Sequence, residues 1–123
     1  MITEELQLML NDYFEVIYTQ NIELFDKIFH PGSVLYTSQE GTVVARPIAE
    51  YREIVLGRKS PKELESPRKD EILALDVLSD EMAWVKVRLR LSENTMVDYL
   101  NLLKVDGKWM IASKFYHREN KIS

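Results

Sequence analysis

DYLNLLKVDGKWMIASKFYH, residues 98–117, alternates apolar and polar side chains on both sides of Asp106-Gly107. Asp-Gly suits a two-residue type I′ turn, where both central residues take positive φ. The stretch therefore predicts a β-hairpin with strands over 95–105 and 108–117. A two-residue loop sets the register. Lys104 faces Trp109, Leu102 faces Ile111, Leu100 faces Ser113, Asp98 faces Phe115 and Met96 faces His117. Alternation along the strands puts all of these on one face.

The preceding strand, 82–91, reaches the same face independently. With Glu93-Asn94 as a two-residue turn, Leu91 faces Met96, Leu89 faces Asp98, Val87 faces Leu100 and Val85 faces Leu102. The inner face is then apolar from Ala83 to Phe115, with Asp98, Ser113 and His117 as its polar members. The other face carries Trp84, Lys86, Arg88, Arg90, Tyr99, Asn101, Lys114 and Tyr116. A further strand, 70–78, adds Leu73, Leu75 and Val77 to that outer face and brings Glu71 near Arg88.

Upstream the period changes from two to that of a helix. Leu6, Met9, Leu10, Tyr13 and Ile17 form one stripe over 3–19, with Thr3 as cap and Glu4 and Glu5 in the first turn. Asn21 can cap a short second helix that ends before Pro31-Gly32. SVLYTSQ and TVVAR read as strands around Glu40-Gly41, and Pro47 suits the start of a third helix ending near Gly57. The order is α-α-β-β-α-β-β-β-β. Helices segregated to one face of a mostly antiparallel sheet make an α+β architecture. Residues 1–123 are expected to form one domain.

Composition narrows the function. Lys and Arg number 16 against 20 Asp and Glu, a net charge of −4. That balance argues against nucleic acid, which calls for a basic excess, and gives no reason to expect an anionic membrane as partner. There is no cysteine, which excludes disulfides, thiolate catalysis and zinc–thiolate sites. No apolar run approaches the ~18 residues of a membrane span, and the acidic start, MITEELQLML, does not read as a secretory signal. A cytoplasmic protein is expected. His30 and His117 are the two histidines, and neither falls in a metal-ligand pattern; no metal or cofactor is expected.

Asp98 and His117 are the candidate catalytic pair. In the expected register they are diagonal neighbours on the inner face, about 7–8 Å apart at the backbone. Asp98 would orient the imidazole and His117 would shuttle a proton. A structural reading stands beside this one: Asp98 bonds a histidine, a hydroxyl or a loop backbone group and fixes the core. Tyr13, Tyr36, Leu89, Leu100, Trp109, Ser113 and Phe115 complete the expected ligand pocket. No G-x-S-x-G surrounds Ser113, which reads as a packing residue or a hydroxyl satisfying Asp98 rather than as a nucleophile.

FHPGSVLY at 29–36, GRKSP at 57–61 and the 98–117 hairpin together resemble the NTF2-like superfamily. The closest resemblance is to its branch labelled "putative lumazine-binding", near the SnoaL-like proteins. The resemblance implies a cone in which a curved sheet wraps a helix-backed pocket. It implies a small apolar or aromatic ligand, with acid–base chemistry of the isomerase, dehydratase or cyclase kind. A non-catalytic association domain with a vestigial pocket is the alternative. Steroid-isomerase members share an inner tyrosine on the first helix, as Tyr13 is here, but SVLYTSQ lacks a carboxylate to match their base. Members of the superfamily often dimerise through the sheet. Trp84, Arg88, Tyr99 and Tyr116 on the outer face suit a homodimer on their own chemistry, because so many exposed large groups call for cover.

Overall fold

Thr3 accepts a hydrogen bond from the Leu6 amide (3.2 Å) and starts α1, Glu4–Thr19. The predicted stripe, Leu6, Met9, Leu10, Tyr13 and Ile17, is buried, and Phe14 and Val16 are buried with it. Gln20, in the left-handed conformation, ends the helix. Asn21 caps α2, Ile22–Ile28, by accepting from the Glu23 and Leu24 amides. The strands are β1, Phe29–Gln39, and β2, Thr42–Pro47; α3 is Ile48–Gly57. Then come β3, Asp70–Val77; β4, Met82–Leu91; β5, Asn94–Val105; and β6, Lys108–Lys121. The computed structural model describes residues 3–121.

The six strands form one sheet in the order β2-β1-β6-β5-β4-β3. β1 runs parallel to β6, and every other neighbouring pair is antiparallel. The sheet curves without closing, and the three helices make an α+β fold with it. The buried Ser33 hydroxyl donates to the Ile111 carbonyl and ties β1 to β6. Asp106 and Gly107 both take positive φ, as the predicted type I′ turn requires.

Three registers depart from expectation. The β4–β5 turn is Ser92-Glu93, not Glu93-Asn94, so Leu89 faces Met96 and Val87 faces Asp98. This is a shift of two residues, and it leaves every side chain on its expected face. The β5–β6 departure is different. Leu102 faces Ile111 as predicted, but Asn101 faces Ser113, leaving Ala112 as an extra residue on β6. A bulge reverses alternation for everything beyond it. Asp98 therefore faces Tyr116, and Leu100 faces Lys114. Ser113, Phe115 and His117 point outward, while Lys114 and Tyr116 point in.

A second bulge, at Leu73, does the same to β3. Leu75 and Val77 pack against the core instead of joining the outer face. Glu71 precedes that bulge and pairs with Arg88 at 3.1 Å, as expected.

Candidate functional site

β5 places Asp98 on the inner face, where it is 2% exposed. The Tyr13 hydroxyl of α1 donates to its Oδ2 at 2.5 Å. Lys114 Nζ of β6 stands 3.6 Å from the same oxygen. That ammonium also lies 5.3 Å from the Tyr13 ring centroid and 5.5 Å from that of Tyr51 on α3. Desolvating two such ions costs several kcal/mol each. Their mutual attraction, the charge-assisted hydroxyl bond and two aromatic faces offset that cost. Burial, followed by the Asp98 charge, raises the Tyr13 pKa well above the ordinary tyrosine value, so Tyr13 remains a donor. Asp98 Oδ1 is also buried, yet has no hydrogen-bond partner among the described residues.

A cavity of about 120 Å³ opens onto this cluster. Ile17, Leu35, Leu89, Leu91 and Met96 give it apolar walls, and Asp98, Lys114 and Tyr116 supply polar groups. Arg46, Tyr51 and Arg58 complete the lining. Arg58 is held from two sides. Its Nη2 donates to the Tyr51 hydroxyl at 3.0 Å. With the Gln20 amide turned so that its nitrogen donates to the Val55 carbonyl, the Gln20 oxygen accepts from Arg58 Nε at 3.0 Å. The residue that ends α1 thus positions the residue that follows α3.

Of the residues expected in the site, Asp98, Tyr13 and Leu89 come together here. Leu100 and Trp109 are core residues and do not line the cavity. Trp109 packs toward the opposite end, beside Glu5, Met9 and Asp12. Ser113, Phe115 and His117 lie on the outer face because of the Ala112 bulge; Ser113 Oγ accepts from Asn101 there at 3.0 Å. Tyr36 is also outward, since Leu35 is the β1 residue opposite Lys114. Its ring meets Phe115 edge-on, with centroids 5.4 Å apart. Asp98 and His117 are thus on opposite faces, and Lys114, opposite Leu100, takes the place expected of Ser113. Lys114, Arg46, Arg58 and Tyr51 were not anticipated. GRKSP at 57–61 carries part of the resemblance, but nothing local in it shows that its arginine turns toward Tyr51.

The family described as "Putative lumazine-binding" matches residues 2–117. The chain belongs to that family. Solved structures agree on the fold. An NTF2-like protein of unknown function from Shewanella baltica OS155 is 23% identical, with a TM-score of 0.80 over 94% of this chain and 91% of that one. An NTF2-like protein of unknown function from Silicibacter pomeroyi DSS-3 is 17% identical, with a TM-score of 0.76 over 94% and 93%. A ketosteroid isomerase-like protein from Erwinia carotovora atroseptica SCRI1043 is 15% identical, with a TM-score of 0.69 over 97% and 99%. At these identities the likeness concerns the fold, which is NTF2-like. No curated protein matches the chain.

A larger groove of about 640 Å³ crosses the outer face, lined by Tyr36, Val43, Val97, Tyr99, Phe115 and His117 with charged neighbours. Size does not make it the chemical site. One of its two lysine or arginine side chains, Arg88, is paired with Glu71 and Glu119 through Nη1 and Nη2, while its buried Nε has no hydrogen-bond partner among the described residues. What the outer groove lacks is the buried Asp98–Lys114 ion pair and a buried carboxylate oxygen free to accept a proton, which are on the inner face. Among the described residues no cluster of His, Asp or Glu could hold a metal, and no helix is long and apolar enough to cross a membrane.

Proposed function

We propose that the protein binds a small, largely apolar or aromatic molecule in the cavity between the inner sheet face and α3, and that Asp98 exchanges a proton with it. The observation that carries this reading is the unpartnered, buried Oδ1 of Asp98. A buried acceptor without a partner costs about 1–3 kcal/mol. A ligand donor at that position would recover the cost. Tyr13 and Lys114 engage Oδ2, which leaves Oδ1 to take a proton from a ligand atom and return it elsewhere. The Lys114 charge balances the carboxylate, and the apolar walls keep water from competing. Such a site suits isomerisation, dehydration or cyclisation.

A thermal-shift screen of single-ring and fused-ring aromatic compounds tests this. Compounds that stabilise the wild type should lose that effect with Asp98→Asn, which keeps the shape of the side chain. Equal stabilisation of both proteins would remove Asp98 from the site.

A second reading, an association domain, rests on the other face. Trp84, Tyr99 and Phe115 are 40%, 47% and 52% exposed. We propose that this face joins two copies of the chain, with Phe115 rather than the inward Tyr116 among its aromatic groups. The two readings are compatible. Only a cavity without any ligand would leave association as the sole function.

A further inference from the structure

Asp98 and Lys114 line the cavity and are both nearly fully buried. Arg46 and Arg58 line its more exposed part. The lining therefore holds three cationic side chains and one carboxylate. Asp98 balances Lys114, and Glu50 engages Arg46 at 3.4 Å. Arg58 has no carboxylate partner among the described residues. Its hydrogen bonds run to the neutral Tyr51 hydroxyl and the Gln20 amide, and its guanidinium lies 5.5 Å from the Tyr51 centroid. An arginine fixed by neutral partners keeps its charge and its remaining N–H groups for something else. Planar guanidinium groups favour carboxylates, which they can engage through two parallel hydrogen bonds.

We infer that the ligand is a small organic acid whose carboxylate docks on Arg58 while its apolar body lies against Leu89 and Met96, with the reacting end toward Asp98. This deepens the proposed function and rests on it. Volume limits the body: a dry cavity of about 150 Å³ takes a benzene ring. At about 120 Å³, this cavity suits one ring or a short chain, with the carboxylate projecting toward the more open side. A polycyclic ligand would have to open the cavity.

Matched probes separate charge from shape. Phenylacetate and phenylacetamide differ in the group offered to Arg58 and share the ring. Each would be titrated at neutral pH while the Met96 methyl resonance is followed by NMR. Phenylacetate should bind more tightly than the amide, by about tenfold to a hundredfold, the worth of a charge-assisted hydrogen bond. Its affinity should fall with added potassium chloride, and the amide's should not. Arg58→Gln should abolish the preference of acid over amide; Arg58→Lys should retain part of it. If acid and amide bind the wild type equally, or the preference survives Arg58→Gln, the carboxylate assignment is overturned while the cavity reading stands. If neither probe moves the Met96 resonance at any concentration, both are overturned. The wild-type salt dependence keeps the test decisive should Arg58→Gln fail to fold.

Discussion

Lys114 is the most consequential residue of the chain. An ammonium only 4% exposed would be prohibitive in an apolar core, and it is tolerated because Asp98 and two tyrosine rings surround it. Lys114→Met strands the Asp98 charge and should cost about 3–5 kcal/mol in urea unfolding. Combining it with Asp98→Asn should cost less than the two single changes summed, by roughly 0.5–3 kcal/mol. Strict additivity would mean that the two side chains do not interact. Tyr13 gives a pH signature. Its raised pKa means that the folded protein keeps a proton which the unfolded chain gives up. The resulting stability is fully present below pH 10.0, the ordinary tyrosine value, and is lost as pH rises through that value toward the folded one. Wild-type stability should therefore fall more steeply above pH 10 than that of Tyr13→Phe. Parallel declines would contradict the buried hydroxyl–carboxylate bond.

Elements decide which residues meet, and here single inserted residues outweigh pattern. The helix stripe, the caps at Thr3 and Asn21 and the Asp106-Gly107 turn were legible because each is local chemistry. The β4–β5 turn slipped by two residues, and an even slip preserves faces. The bulges at Leu73 and Ala112 were invisible. Beyond Ala112, hydrophobicity favoured the wrong choice: Phe115 inward looks better than Lys114 inward until Asp98 is considered. The site was thus half legible, with Asp98 and Tyr13 on the expected face and His117 on the other. The bulge makes a spectroscopic prediction. Phe115 ring protons should show NOEs to Tyr36, whose ring is 5.4 Å away, and to Tyr99, its cross-strand partner. NOEs from Phe115 to Leu89 or Tyr13 would restore the uninterrupted register and return His117 to the inner face.

At the scale of the molecule, the curved sheet separates two surfaces with different chemistry. Outside, Trp84, Tyr99, Phe115 and Val43 leave apolar area in water that a monomer would be expected to cover. A two-fold contact would bring this patch onto itself and bury about 1,200–2,000 Å² in total. Sedimentation should show a dimer at tens of micromolar, and Phe115→Glu should shift it to monomer without unfolding it. A monomeric wild type would end that proposal and leave the inner cavity unaffected. Inside, function depends on whether a ligand reaches Asp98. A crystal structure of the protein with a compound from the aromatic screen measures this directly. The ligand should lie among Leu89, Met96 and Tyr116, with a polar atom within hydrogen-bonding distance of Asp98 Oδ1. Ligand bound only in the outer groove beside Tyr99 and Phe115, with the Asp98 cavity unchanged, would contradict the proposed site.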